Sequence, residues 1–446
     1  MSGDPHSPVR NISIDTRTLV KGDHYIALNG KNYKGYDFIN QAVEKKCAGI
    51  IVSCDVLTLD SSIPSFPTFP SIVRVPDTLK ALGDIAGAYR RKFKIPVVAI
   101  TGSNGKTTTK EMLASILNME GTTLSNAGNF NNQIGVPLTL LNLGLHHSSA
   151  VIEMGTSWPG EIPRLTEIVS PDIGIITNIG RTHLENFKDE QGVYDEKISL
   201  IEKTLKAGSA VINIDDPFLQ KFKSDKECLT FGLSDKAAVR ARNIRLWPDL
   251  PSFEVELAGK NIRVRLPVYG RFNIYNALAA AAAALKLGVS PETIARGLEK
   301  FKGPKWRMER HQLLSGAIII NDAYNANPSS MKGSIESLVE SFPDRDKILV
   351  LGDMLELGET AVEQHKALGS FIRLQPVSKV ILYGELTKYT LEGLGSSEAR
   401  HFTRKEDVII ELKKHINSDC VVLFKASRGI RLEEICDAVL AFEQNA

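Results

Sequence analysis

The segment Thr101-Gly102-Ser103-Asn104-Gly105-Lys106-Thr107-Thr108 combines two glycines, a lysine and several hydroxyls in the way a polyphosphate requires. Gly102 and Gly105 let the backbone turn tightly and approach phosphate oxygens. A helix opening after Gly105 offers free N–H groups and the positive end of its dipole. Lys106 adds a point charge for β- and γ-phosphates, and Thr107 adds a hydroxyl for magnesium. The common pattern is G-x-x-x-x-G-K-[ST], and Ile100 stands here in place of its first glycine. The strand, turn and helix context nevertheless meets the physical demand, so ATP is the expected ligand.

A magnesium ion beside Thr107 needs further hard ligands. Glu153, in Val151-Ile152-Glu153-Met154-Gly155, follows an apolar strand and reads either as a metal ligand or as a solvated strand-end acid. His183, in Thr177-Asn178-Ile179-Gly180-Arg181-Thr182-His183, reads as a ligand or as a structural histidine, and imidazole is the less usual partner for magnesium. Lys197, on a helical stretch from Val193 to Leu205, reads from the residues alone as a helix-surface lysine.

Three more polar clusters follow. Asn273 and Asn276 lie one helical turn apart in Gly270-Arg271-Phe272-Asn273-Ile274-Tyr275-Asn276. They could present amides to adenine, or cap the helix. In Asn321-Asp322-Ala323-Tyr324-Asn325-Ala326-Asn327-Pro328, an acid after a strand could hold a ribose hydroxyl and Tyr324 could stack on a base. Leu351-Gly352-Asp353-Met354-Leu355-Glu356-Leu357-Gly358 and Lys425-Ala426-Ser427-Arg428-Gly429 also follow apolar strands, as a functional sheet edge or as ordinary loop chemistry.

The elements that must position these groups alternate. Buried-strand runs are expected at Val97 to Ile100, Ala150 to Ile152, Ile173 to Thr177 and Ala210 to Ile214, with helical patterns between several of them. Ala277 to Leu287 reads as a helix closed by Gly288, and Ser290-Pro291 opens the next. A second series has strands at Ala317 to Ile320, Ile348 to Leu351, Lys379 to Leu382 and Val421 to Phe424, with helices at Ser329 to Ser341, Ala361 to Arg373 and Leu432 to Glu443. The N-terminal part offers strands at Ile12 to Asp15, Tyr25 to Leu28 and Gly49 to Val52, and helices at Phe38 to Lys46 and Thr78 to Lys92. The proline-rich run Ile63 to Pro70 should be a loop. The expected fold class is therefore α/β in three domains. Residues 1–93 form a smaller mixed α/β domain. Residues 94–305 form a central P-loop-type domain, with a mostly parallel sheet and helices on both faces. Residues 306–446 form a C-terminal Rossmann-like domain.

Composition limits the function classes. A net charge of +2 in 446 residues gives no global reason to expect nucleic acid or an anionic membrane as partner. Met1 to Arg10 lacks the apolar core of a signal peptide, and no run approaches a membrane span. The scattered cysteines form no C-x-x-C pair, which fits inert thiols in a reducing cytoplasm. No segment reads as an obvious interface, so a monomer is expected.

Taken together, T-G-S-N-G-K-T-T, V-I-E-M-G, T-N-I-G-R-T-H-L-E, G-R-F-N-I-Y-N-A-L-A-A and N-D-A-Y-N-A-N-P-S-S-M resemble the Mur ligase family in kind and in order. The resemblance covers nearly the whole chain, is strongest from Val97 to Met354 and is weakest between Cys54 and Arg91. It implies an ATP-dependent amide ligase working through an acyl phosphate, with magnesium as cofactor. The segment Asn325-Ala326-Asn327-Pro328, with L-G-D-M-L-E-L-G, is similar to the branch that adds D-alanyl-D-alanine to UDP-N-acetylmuramoyl-tripeptide. The alternatives are a sister ligase adding the third amino acid or acting on a polyglutamate, and a nucleotide-binding regulatory module without ligase activity.

The resemblance places Thr107, Glu153 and His183 on metal positions and Lys197 where a carbamylated lysine helps hold a second magnesium. Asn273 and Asn276 match adenine contacts, Asp322 the ribose acid, and Arg307 an arginine that reaches the ATP phosphates across the domain junction. Lys106, Lys197, His183 and Arg307 form the implied catalytic set. Gly102 to Thr108 and Tyr324 complete the implied ATP site. Asp15, Thr16 and Arg17 resemble a D-S-R segment that holds the uridine end of the substrate, with threonine keeping the hydroxyl. Asn131, Asn325 and Asn327 complete the implied substrate set.

Overall fold

The structure is a computed structural model that describes residues 9–30, 33–54, 71–226, 228–246, 250–257, 259–395 and 398–444. The expected proline-rich loop at 63–70, and residues 1–8 of the N-terminal stretch, lie outside the described residues.

Among the described residues, nineteen strands form three sheets in chain order. The first holds β1 (Ile12–Ser13), β2 (His24–Ile26), β3 (Gly49–Ser53) and β4 (Ser71–Val75), all parallel. The second holds β5 (Val97–Thr101), β6 (Thr123–Ser125), β7 (Ser149–Glu153), β8 (Ile173–Ile176), β9 (Ser209–Asn213), β10 (Cys228–Gly232), β11 (Val239–Arg245), β12 (Ser252–Leu257) and β13 (Lys260–Arg265). The third holds β14 (Glu309–Gln312), β15 (Ile318–Asn321), β16 (Asp346–Gly352), β17 (Lys379–Tyr383), β18 (Ala399–Phe402) and β19 (Cys420–Lys425).

The second sheet runs β13-β12-β11-β10-β9-β8-β5-β7-β6. Its β11-β12 and β12-β13 pairings are antiparallel and the others parallel. The central strand β5 is buried along its whole length, which is why its sequence is uninterrupted by charged residues. Met112, Leu113 and Ile116 of helix Lys106–Leu117 and the alanines of helix Arg271–Lys286 pack on one face with Ile173 and Ile175. Gly174, between those two isoleucines, faces the other way. A Cβ there would meet Thr204, Leu200 and Ile201 of helix Glu190–Thr204. The sheet is thus covered on both faces. Ser290 caps the helix Pro291–Lys300 by accepting from Thr293 N at 3.1 Å, as its sequence requires.

The third sheet runs β14-β15-β19-β16-β17-β18, with β14-β15 antiparallel and the other pairings parallel. Alternate residues go to opposite faces. Ile318, Ile320, Leu349, Leu351, Val421 and Leu423 meet helices Pro328–Ser341 and Ala361–Ile372. Ile319, Ile348, Val350, Val422 and Phe424 meet helices Lys405–Lys413 and Glu433–Gln444.

The carboxyl ends of β15, β16 and β19 come together at one edge. There Ser427 Oγ accepts from Leu355 N at 2.9 Å and donates to Ala326 O at 3.1 Å. Asp353 is a structural cap at the same edge, accepting from the amides of Glu385, Leu386 and Thr387.

By compactness the chain falls into two units. One gathers the described residues of Met1–Ile95 with Asn126–His147 and Arg164–Ser170; the other holds the second and third sheets. Inside the first unit, Ile134 and Leu138 pack against Ile12, Ile26, Ile51 and Leu82. That packing is why a stretch between β6 and β7 joins the N-terminal sheet. Among the described residues, no helix is long and apolar enough to cross a membrane.

Candidate active site

The phosphate loop joins β5 to helix Lys106–Leu117, and two glycines shape it. Gly102 has φ +147°, and a Cβ there would collide with Thr177 Oγ1. Gly105 has φ +83°, and a Cβ there would collide with Asn276 Oδ1. Both positions therefore exclude a side chain by backbone conformation and by close approach. The loop is braced from the segment after β8. Asn104 N donates to Asn178 Oδ1 at 2.9 Å, Thr177 Oγ1 donates to Asn104 O at 2.6 Å, and Ser103 Oγ and Gly180 exchange hydrogen bonds. Gly105→Ala should lower nucleotide affinity at least about tenfold, about 1.4 kcal/mol, and should lower the melting temperature as well, because φ +83° and the buried Asn276 amide both resist a Cβ. Calorimetric titration with ATP checks this, and unchanged affinity would contradict it.

Lys106 Nζ donates to Gly102 O at 2.7 Å and Ser103 O at 3.2 Å, so its ammonium lies folded over the loop. Burial pulls its pKa down, the Glu153 carboxylate opposes that, and the Arg307 guanidinium adds to it. Glu153 ends β7 opposite Ile100 in the register with β5, and it is only 2% exposed. The solvated-acid reading of Glu153 is thereby excluded. Thr107 is buried, and Arg307 Nη2 donates to its Oγ1 at 3.1 Å. Thr108 is buried in the first turn of the helix.

The surface reading of Lys197 is corrected: it is 2% exposed. On helix Glu190–Thr204 it shares a buried stripe with Val193, Leu200, Ile201 and Thr204, which turns it inward. Burial first, and then the Lys106 charge, pull its pKa down to about 7, against the pull of Glu196. Glu196 is itself held by the amides of Gly160 and Ile162 at 2.8 and 2.7 Å.

His183 adopts the left-handed region, φ 52°, and its Nδ1 lies 2.9 Å from Glu356 Oε2. That contact leaves Nε2 as the nitrogen able to meet a metal. The His183 contact holds the Glu356 carboxyl below its usual range.

Asn273 and Asn276 are 2% and 3% exposed, with their amides turned inward. Asn273 Nδ2 donates to Tyr269 O, Asn276 Nδ2 to Asn273 Oδ1, and Thr109 Oγ1 to Asn276 Oδ1. In this arrangement the pair supports the phosphate loop from below Gly105 and does not offer an open amide face.

From the third sheet, Arg307 stacks 4.0 Å from the Tyr324 ring centroid. Asp322 is taken up by Lys425, Ser334 and the Met308 amide. Asn327 caps helix Pro328–Ser341 and donates through Nδ2 to Asn104 Oδ1 at 2.8 Å, while Asn104 Nδ2 donates to Ser329 Oγ at 2.9 Å. Asn325 Oδ1 accepts from Ala326 N. Ser329, Ser334, Glu356 and Lys425 carried no expected role of their own, although each lies in or beside one of the polar clusters visible in the sequence.

Asp15, Thr16, Arg17 and Asn131 belong to the first unit. Arg17 chelates Asp15, with Nη2 to Oδ2 at 2.7 Å, and holds its pKa down at about 2. Thr16 is buried and donates its hydroxyl to Gln41 Oε1 at 2.9 Å. Asn131 N donates to Asn129 O at 2.7 Å.

The chain matches the Mur ligase middle domain over residues 100–284 and the Mur ligase, glutamate ligase domain over residues 306–428. It is 36% identical to UDP-N-acetylmuramoyl-tripeptide–D-alanyl-D-alanine ligase of Bacillus subtilis (strain 168), across 96% of this chain and 92% of the relative. Among solved structures it is similar to MurF from Acinetobacter baumannii, with TM-score 0.89 and 32% identity over 98% of this chain and 94% of that one. It is also similar to MurF ligase from Thermotoga maritima in complex with ADP, with TM-score 0.87 and 28% identity over 98% of this chain and 99% of that one.

Proposed function

The chain belongs to the Mur ligase family, and on that footing we propose that it is an ATP-dependent ligase joining D-alanyl-D-alanine to UDP-N-acetylmuramoyl-tripeptide. The observation that carries the reading is Arg307, delivered from the third sheet to Thr107 of the phosphate loop. A site that completes a phosphate cradle with a cation from another sheet suits phosphoryl transfer, which asks for alignment and charge neutralisation.

In the proposed reaction a carboxylate oxygen of the tripeptide attacks the γ-phosphorus, and ADP leaves. The amine of D-alanyl-D-alanine attacks the acyl phosphate carbonyl and loses a proton. The C–O bond to phosphate then breaks, giving the amide and inorganic phosphate. Lys106 and the loop amides hold the transferred phosphoryl group, and Arg307 neutralises charge that builds on it. Asn273 and Asn276 brace the loop beneath the nucleotide, and Tyr324 orients Arg307 by stacking.

Magnesium is part of the proposal. The donor chemistry fits it: Thr107 offers a hydroxyl, Glu153 a buried carboxylate, and His183 a ring nitrogen opposite its Glu356 contact. Lys197 fits as a carbamate. Its amine, with a pKa drawn down to about 7, is about half neutral near pH 7; the neutral form can form an N–C bond to carbon dioxide and release a proton to become an anion. The bound ion would supply charge neutralisation at the phosphates. We propose further that residues 1–93, 94–305 and 306–446 act as three domains, with Asp15, Thr16, Arg17, Asn131, Asn325 and Asn327 on the substrate side. A cytoplasmic monomer completes the reading.

The acceptor decides between branches of the family. D-alanyl-D-alanine should support ADP formation with UDP-N-acetylmuramoyl-tripeptide at least about a hundredfold faster than any single amino acid, a discrimination of about 2.7 kcal/mol. Equal rates with a single amino acid would move the chain to a sister branch.

A further inference from the structure

Glu196 is a buried acid, 7% exposed, with no part in the proposed reaction. A carboxylate in such a place is costly unless its oxygens are satisfied. Its partners lie in the segment that leaves β7. Oε2 accepts from Gly160 N at 2.8 Å, Oε1 accepts from Ile162 N at 2.7 Å, and Thr156 Oγ1 lies 3.4 Å from Oε1. These amides open helix Glu161–Val169, where the first N–H groups have no acceptor within the helix and the dipole favours an anion.

The same segment holds a second carboxylate for contrast. Glu161 Oε2 accepts from Ser157 N at 2.7 Å and Trp158 N at 3.0 Å, so Glu161 orders its own turn. Glu196 comes from a different helix, Glu190–Thr204, and its bonds tie that helix to the β7 segment. Lys203 of the same helix adds to the tie, donating through Nζ to Pro163 O at 3.0 Å.

Lys197 is the next residue after Glu196, about 100° further around the helix. With Glu196 fixed on the Gly160 and Ile162 amides, the helix has one rotation and one height, and Lys197 has one direction. Gly160 comes seven residues after Glu153, the last residue of β7. The clamp therefore closes a short frame that runs from Glu153 through the loop to Glu196 and Lys197.

We infer that Glu196 is a positioning residue: by clamping the Gly160 and Ile162 amides it locks helix Glu190–Thr204 to the end of β7, and so sets the placement of Lys197 relative to Glu153 in the magnesium site. The inference rests on the reading of Lys197 as a group on the metal side of the reaction.

The test uses the full chain with Glu196→Gln, Lys197→Met and the double variant, in bicarbonate buffer with ADP present and Mn2+ as the probe. Glutamine turns an N–H₂ toward one of the two amides and breaks the clamp on that side. Mn2+ affinity, read by electron paramagnetic resonance, should fall at least about tenfold in Glu196→Gln, and the magnesium concentration for half-maximal turnover should rise by a similar factor. At saturating magnesium the KM for ATP should stay within about threefold. Amide hydrogen exchange at Gly160 and Ile162 should quicken. The double variant should bind Mn2+ no more weakly than Lys197→Met beyond about threefold, since Glu196 acts through Lys197. Unchanged Mn2+ affinity in Glu196→Gln, with a lowered melting temperature alone, would overturn the inference, and so would independent, multiplying losses. If Glu196→Gln melts below the assay temperature, Glu196→Asp takes its place, one methylene too short for the clamp; its loss of Mn2+ affinity should vanish in the Lys197→Met background, and persistence there would overturn the inference. The two readings fail differently. Wild-type Mn2+ affinity in Lys197→Met would remove Lys197 from the metal site and this inference with it, whereas weakened binding in Lys197→Met beside unchanged binding in Glu196→Gln would remove this inference alone.

Discussion

Lys197→Met should lower turnover about a thousandfold, close to 4 kcal/mol in the barrier, while the melting temperature holds or rises. The two halves of the expectation come from one observation. Lys197 is a buried amine facing the charge of Lys106, which is an unfavourable place for a cation. Methionine matches its length and needs no hydration, so folding loses nothing. The site loses the anion that carbamylation would supply. The pH dependence follows with a definite sign. The folded pKa, about 7, lies below the ordinary 10.5, so between those values the unfolded chain carries the extra proton. Stability contributed through this group therefore rises with pH across that window, by at most about 1.4 kcal/mol per pH unit, and Lys197→Met should remove that slope. Near-normal turnover at saturating magnesium would take Lys197 out of the site.

Lys425→Met should destabilise the fold by about 3 to 5 kcal/mol, because it leaves the Asp322 carboxylate buried without its cation. The side chains of Lys425 and Asp322 are 4% and 10% exposed, so water cannot take the place of the lost ammonium. Ser334 and the Met308 amide remain as donors, which places the expected loss toward the lower end. Adding Asp322→Asn to Lys425→Met should recover part of the stability, since a neutral amide costs less to bury than an unpaired carboxylate. Urea unfolding of the single and double variants measures both effects; an additive double variant would contradict the pairing.

Much of the fold was legible in the sequence where one physical requirement dominates. β5 has to be apolar almost throughout because both faces are covered, and Gly102 and Gly105 have to lack side chains because Thr177 and Asn276 occupy that space. The antiparallel edge at β11 to β13 was harder to see. Its strands carry Arg242 and Arg263 at positions open to solvent and Glu254 at a half-buried one, and so lack the apolar run of the parallel strands. Lys197 was misread because lysine is so often exposed. The signal was its place in the stripe from Val193 to Thr204, where an apolar residue would be expected. Thr16 and the Asn273–Asn276 pair show a different limit. Residue type announces a hydrogen-bonding group, but tertiary packing decides whether its partner is a ligand or, as with Gln41 and Tyr269, another part of the chain. The left-handed turn around Arg307 has no sequence signature, because neither Trp306 nor Met308 favours that conformation.

The fate of one oxygen tests the central claim most directly. UDP-N-acetylmuramoyl-tripeptide labelled with oxygen-18 in its terminal carboxylate, incubated with ATP, D-alanyl-D-alanine and the enzyme, should yield inorganic phosphate carrying a single labelled oxygen, because the acyl phosphate C–O bond is the one that breaks. Phosphate free of label, formed alongside the ligated product, would contradict an acyl-phosphate ligase.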